Sequence, residues 1–315
     1  MFVGRRAELD EFHRVLTGNK PRLVRLYGRR RVGKTELLTR LLQAHPGLYL
    51  NVDEAEYEVQ RRTLASQVAS QAGHEARFYA DWDGFLDDLE MTNTRLVVID
   101  EFQNLIRTGH GLLGRLQARW DSKWKSAGPS LVLSGSSVGM MQRLTQAPRA
   151  PLFGRITDNM HLRPLAYHEA RDLYPGLPEE ERVRRYATFG GTPFYHDLSI
   201  DRSLDDALWE ALLRPNAPLL NEPEDLLRSE FQDASRPNSI LREIGLGAHA
   251  LHDLESRVGV QHGGLSQHLV FLEHDMDLVL HEEPVLGKKR LGHYVLPDPI
   301  LSVLLPDDIR AAQCN

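Results

Sequence analysis

The stretch "RLVRLYGRRRVGKTELLTRLL", residues 22–42, decides the fold. Its first half, "RLVRLYG" (22–28), reads as a short strand running into a glycine turn. Its second half, from Gly33 to His45, reads as a helix with Leu37, Leu38, Leu41 and Leu42 on one side. Between them Gly28, Gly33, Lys34 and Thr35 satisfy GxxxxGK[ST]. Glycines let backbone amides turn inward around phosphates, and the helix dipole adds positive potential. Lysine reaches the outer phosphates, and the hydroxyl holds a divalent cation. The competing reading is a solvated basic helix start, since Arg29, Arg30 and Arg31 fill three of the four variable positions. Strand, glycine loop and helix in this order favour the phosphate site.

Working outward, "RLVVIDEF" (95–102) is a nearly continuous apolar run ending in two carboxylates, as a central parallel strand buried on both faces would be. Asp100, 66 residues after Lys34, is placed to hold the Mg²⁺ shell with Thr35. Glu101 is placed to orient and deprotonate an attacking water. "SLVLSGSS" (130–137) is a further buried strand, expected between those bearing the loop and the acidic pair. Its Ser134 can reach a γ-phosphate or the water, or can simply form a turn. "LYLNVD" (48–53) is another strand candidate, and helical stretches at 5–17, up to about Ala72, 82–89 and 112–125 alternate with the strands. The alternation predicts an α/β fold, a parallel sheet with helices on both faces.

From about Leu165 the pattern becomes helical, punctuated by "FGGTPFY" (189–195) and "RPNAPLLNEPEDLL" (214–227). The remainder reads as helix, short helix, turn, helix and two-stranded ribbon, the order of a winged helix-turn-helix. Leu265, Leu269 and Leu272 would face the core. The expected domains are an ATPase core over 1–164, a lid-like helical subdomain over 165–223 and a winged-helix-like domain over 224–315.

Composition bounds the partners. With 41% hydrophobic and 26% charged residues, the chain has no apolar run near the ~20 residues of a membrane span. No secretory signal is legible, and the only cysteine is Cys314, so a reducing cytoplasm is expected. The net charge of -6 is uneven: residues from Glu224 onward carry 8 Lys and Arg against 15 Asp and Glu. Fourteen histidines, including His249, His252, His262 and His268, lack HExxH spacing and read as solvated rather than metal-binding. Arg155, about 20 residues beyond Ser134, is either an arginine that stabilises transition-state charge or half of a loop salt bridge.

In order along the chain, "FVGRRAELDEF", "LYGRRRVGKTELL", "LVVIDEFQNL", "LSGSSVGMM", "PLFGRITDNMHLRPL" and "GGTPFYHDL" resemble the archaeal-type ATPases of prokaryotes. These are AAA-like P-loop proteins related to the STAND signalling ATPases. The resemblance runs over about residues 1–305. It implies Gly4 and Arg5 near adenine and ribose, Gly28 to Thr35 as the Walker A loop, Asp100 and Glu101 as the Walker B pair, and Ser134 as the sensor. The candidate nucleotide set is therefore Gly4, Arg5, Gly28, Arg29, Arg30, Arg31, Val32, Gly33, Lys34, Thr35 and Glu36, with Lys34, Glu101, Ser134 and Arg155 as catalytic candidates.

ATP with Mg²⁺ is the implied ligand, and a nucleotide-driven switch with slow ATP hydrolysis the implied function. Duplex DNA through residues 264–293 is a second candidate partner. Yet the recognition-helix candidate Gly264 to Glu273 has no Lys or Arg, and cations appear only in "GKKRLGHY". An ATP-sensing DNA-binding regulator, and an interaction module of a toxin–antitoxin or defence pair, remain open readings. So do a protein partner and a homo-oligomer.

Overall fold

The computed structural model describes residues 2–107, 111–145, 150–231, 233–284 and 292–305. Among the described residues the chain forms two compact units.

The first unit, Arg5–Gly28 with Lys34–Leu162, is an α/β layer structure. Its elements are α1 (Arg6–Leu16), β1 (Leu23–Tyr27), α2 (Lys34–Ala44), β2 (Leu48–Asn51), α3 (Tyr57–Ala72), α4 (Trp82–Met91) and β3 (Leu96–Asp100). Then come α5 (Gln103–Arg107), α6 (Leu112–Arg119), a π-turn at Trp120–Trp124, α7 (Lys125–Ala127), β4 (Ser130–Gly135), α8 (Val138–Thr145) and β5 (Asp158–His161). The sheet is parallel with strand order β2-β3-β4-β1-β5. As the sequence predicts, β4 separates the strand of the glycine loop from that of the acidic pair.

All five residues of β3 are buried, as are Leu131, Val132 and Leu133 of β4. Each such aliphatic side chain contributes about 1.5–3 kcal/mol by leaving water. The core on one side of the sheet gathers Leu48, Leu50, Trp82, Phe85, Val97, Ile99, Phe102 and Trp124. Charges lie inside as well: Arg25 of β1 is fully buried, its guanidinium carbon 4.2 Å from the centroid of the Tyr27 ring. Tyr27 also stacks on His161 of β5.

The second unit takes in the residues up to Gly4, the segment Arg29–Gly33 and everything described from Arg163 onward. It contains α9 (Tyr167–Ala170), α10 (Glu179–Phe189), α11 (Pro193–Asp197), α12 (Leu204–Leu208), a π-turn at Trp209–Leu213, α13 (Glu222–Glu230) and α14 (Ser235–Gly245). These are followed by α15 (Leu251–Val258), α16 (Ser266–His274), the antiparallel pair β6 (Leu280–Glu282) and β7 (His293–Val295), and α17 (Pro299–Leu304). Two apolar clusters organise it. One joins Phe189, Tyr195, Ala211, Leu212 and Leu219; the other joins Leu226, Ile240, Leu254, Leu265, Leu269 and Leu272. Helix α17 serves both, giving Ile300 and Leu304 to the first and Leu301 to the second, which Leu305, just past its end, also joins. The cations of "GKKRLGHY" (287–294) and Cys314 lie outside the described residues.

Candidate nucleotide site

The carboxyl ends of β1, β3 and β4 gather the polar side chains of the first unit. In register, Leu26 of β1 pairs with Ser134 of β4, and Ile99 of β3 with Leu133, so Asp100, at the end of β3, and Ser134, one residue before the end of β4, lie at one level. Helix α2 begins at Lys34, immediately after the glycine loop. Lys34 is buried and its Nζ donates to the carbonyl of Gly28 at 2.7 Å. The Thr35 hydroxyl donates to Asp100 Oδ2 at 2.8 Å.

Asp100 is almost fully buried and its carboxylate is crowded with donors. The hydroxyl of Tyr49 in β2 donates to the same Oδ2 at 2.9 Å, and the backbone amide of Glu101 donates to Oδ1 at 3.0 Å. Burial, and then the adjacent negative charge of Asp100, push the Tyr49 phenol well above its usual range, so it stays a donor. Strand β2 buries Leu48 and Leu50, which leaves Tyr49 on the opposite face of the pleat. Sequence reasoning missed it.

Glu101 has a left-handed backbone, φ 53°, which is costly for a residue with a side chain and recurs at functional sites. Its Oε2 accepts from the Ser136 hydroxyl at 2.7 Å and from the Gln103 side-chain amide. Ser136 and Gln103 were also missed, although both lie within three residues of a motif position. Ser134 is fully buried, and its hydroxyl has no hydrogen-bond partner among the described residues. A buried hydroxyl left open in this way is the exception among buried polar groups.

The remaining candidates divide. Glu36 pairs with Arg40 one turn on, and Arg5, in a left-handed N-cap conformation (φ 61°), donates to Glu8 at 2.9 Å. Arg155 forms a two-pronged pair with Asp121, at 3.0 and 2.6 Å, and also donates to the carbonyls of Pro151 and Phe153. This is the salt-bridge alternative open in the sequence, and the contacts bring Arg155 to Asp121 rather than to Glu101 or Lys34.

In the second unit Gly4, at φ +63°, is packed so tightly on Glu169 that an added Cβ would fall 2.7 Å from its Oε1. Val32 is buried, Arg30 is exposed, and a Cβ on Gly33 would fall 3.7 Å from Pro193. Arg29 donates from Nη2 to both Asp298 Oδ2 and Thr192 Oγ1 at 2.6 Å. Arg31 donates to Glu222.

Comparison with known proteins agrees with the geometry. A family model described as an ATPase domain predominantly from Archaea matches residues 2–195. An uncharacterized protein of Methanocaldococcus jannaschii is 27% identical over 304 residues, which is 96% of this chain and 67% of that protein. An uncharacterized ATP-binding protein of the same organism is 51% identical over 43 residues, 14% of this chain and 73% of that protein. Among solved structures, a Walker-type ATPase of Pyrococcus abyssi superposes with a TM-score of 0.70 at 22% identity, over 96% of each chain. The ORC2 protein of Aeropyrum pernix, in ADPNP and ADP complexes, superposes with a TM-score of 0.54 at 19% identity, over 99% of this chain and 95% of that one. At those identities the two structures speak for the fold alone, and the family model, which spans residues 2–195, speaks for the family. With loop, acidic pair and sheet order in their expected places, the chain belongs to the archaeal-type ATPase family of P-loop proteins.

Proposed function

We propose that the chain binds Mg-ATP at the loop Gly28–Thr35 and hydrolyses it slowly, as a nucleotide-driven switch linked to its C-terminal module. The observation that carries the reading is the hydrogen bond from Thr35, at the start of α2 beside Lys34, to Asp100, with Glu101 and Ser134 following or near the ends of the adjacent strands β3 and β4. Thr35 and Asp100 fit Mg²⁺, since they offer only oxygen donors, already 2.8 Å apart, and one carboxylate suits an ion that keeps several waters. When bound, the ion would neutralise charge on the β- and γ-phosphates.

This chain's residues would do the rest. Lys34 exchanges the Gly28 carbonyl for a phosphate oxygen. Glu101, steadied by Ser136 and Gln103, accepts the proton of a water whose oxygen attacks the γ-phosphorus, while the bond to the ADP oxygen breaks. Ser134 donates its open hydroxyl to a γ-phosphate oxygen. Arg155 would act on the site of a neighbouring copy only by exchanging its two-pronged pair with Asp121 for the transferred phosphate. Residues 1–164, 165–223 and 224–315 would serve as ATPase core, lid and winged-helix-like module. The run α14, α15, α16 and the β6–β7 ribbon supports the last of these. The difference in contacts between ATP and ADP would supply the switching free energy.

Steady-state phosphate release with Mg-ATP tests the reading. Lys34→Ala is expected to abolish binding of a fluorescent ATP analogue. Glu101→Gln is expected to keep binding while lowering turnover about 100-fold or more. Equal binding by Lys34→Ala, or unchanged turnover in Glu101→Gln, would overturn the assignment.

A further inference from the structure

The phosphate loop does not stand by itself: its segment Arg29–Gly33 belongs to the same compact unit as residues 163–315. Two of its three arginines are held there by carboxylates. Arg29 is 3% exposed and Asp298 4%, and the pair meets at 2.6 Å. Burial alone would depress the guanidinium's pKa, but the facing Asp298 and, after it, Tyr195 and Asp277 together turn the net shift upward. The other oxygen of Asp298 accepts from the amide of Ile300 at 3.0 Å and so caps α17.

Two residues along, Arg31 has a left-handed backbone at φ 69° and donates to Glu222. Its guanidinium carbon lies 4.3 Å from the centroid of the Phe194 ring. The second oxygen of Glu222 accepts from the buried Tyr195 hydroxyl at 3.0 Å. Arg30, between the two, is exposed. The loop is therefore pinned at alternate residues.

A phosphate loop works by presenting several backbone amides at fixed spacing, and a loop free to sample other conformations loses affinity for lack of preorganisation. Adjacent arginines also repel one another, and a buried guanidinium without a counter-charge would drive its segment toward water. Asp298 and Glu222 each place an opposite charge against one of these guanidiniums. We propose that Asp298 and Glu222 are positioning residues for the phosphate loop: by pairing with Arg29 and Arg31 they hold residues 29–33 in the conformation that accepts a nucleoside di- or triphosphate. Affinity for nucleotide then depends on carboxylates 269 and 191 residues downstream of the arginines they pair with. By linkage, bound nucleotide strengthens the same two pairs. The inference rests on the nucleotide-site reading above, but its first test does not need nucleotide.

Asp298→Asn keeps an oxygen for the Ile300 amide and removes the charge facing Arg29; Glu222→Gln likewise keeps an acceptor for Tyr195. Amide hydrogen exchange over residues 29–33 of the full chain, without nucleotide, is expected to speed up about tenfold in either variant. Calorimetric titration with MgADP is expected to give a Kd about tenfold weaker, and the effect of Asp298→Asn to shrink below about twofold in an Arg29→Met background. Asp298→Glu should restore part of the affinity. Unchanged loop exchange in both variants overturns the proposal. So does a loss of affinity that is equally large in the Arg29→Met background, because Asp298 would then act through α17 alone. If Asp298→Asn does not fold, Glu222→Gln with Arg31→Met supplies the same cycle. Should the unmodified chain not take up MgADP, the nucleotide reading falls, while loop exchange still decides whether the carboxylates hold the loop.

Discussion

Asp100 accepts three hydrogen bonds on one buried carboxylate, from Thr35, Tyr49 and the Glu101 amide. When Thr35 turns to a cation, Tyr49 is the side chain that still fixes the carboxylate's rotamer. A hydrogen bond to a charged acceptor contributes about 1.5–3 kcal/mol, so Tyr49→Phe is expected to raise the Mg²⁺ concentration for half-maximal phosphate release about 10- to 100-fold. The protein should remain folded, because the ring stays. A magnesium titration of the variant checks this, and an unchanged midpoint would remove Tyr49 from the site. Gly28, Lys34, Thr35, Asp100, Glu101 and Ser134 were legible because their chemistry needs particular residues at particular distances from strand ends. Tyr49, Asp298 and Glu222 were not, because nothing local distinguishes them: each acquires its partner only through sheet pairing or through packing of distant helices.

At the scale of elements, long apolar runs announced β3 and β4, whereas β5 went unseen. Its sequence "DNMH" buries only Met160, as an edge strand with a single sheet neighbour can. The helical character beyond Leu165 was legible from periodicity, but not the role of α11. That short helix carries His196, which is fully buried between the Tyr174 hydroxyl at 2.8 Å and the Gly190 carbonyl at 2.7 Å. Its Nε2 donates to the carbonyl and its Nδ1 accepts from the phenol, a neutral imidazole. Burial is the main cause that pushes its pKa down, to about 4 from an ordinary 6.5. Above pH 6.5 both folded and unfolded chains hold it neutral. Between 6.5 and 4 the unfolded chain takes up the proton and the folded one does not. Stability contributed by this group is therefore lost as pH falls through that window, up to about 3 kcal/mol. Denaturant midpoints at about pH 7.5 and pH 4.5 should differ accordingly, and His196→Gln should reduce the difference.

For the molecule as a whole, charge argues about partners. Helix α16 exposes Ser266, Gln267, Val270 and His274, and no Lys or Arg lies within it. Phosphate neutralisation supplies most non-specific DNA affinity, and this helix offers none at neutral pH. Phosphate release is accordingly expected to be the same, within roughly twofold, with and without duplex DNA at one salt concentration. Marked stimulation would instead assign duplex contact to the module. The buried pair of Arg29 and Asp298 also has a consequence in time. A ribosome adding about 5–20 residues per second reaches Asp298 roughly 15–50 s after Arg29. During that interval the nascent chain can complete all five strands of the parallel sheet before Asp298 has been made. The chain thus emerges with its signature motif written first and the carboxylate that steadies it written among the last described residues, so a nascent fragment can carry the motif without the hold on it.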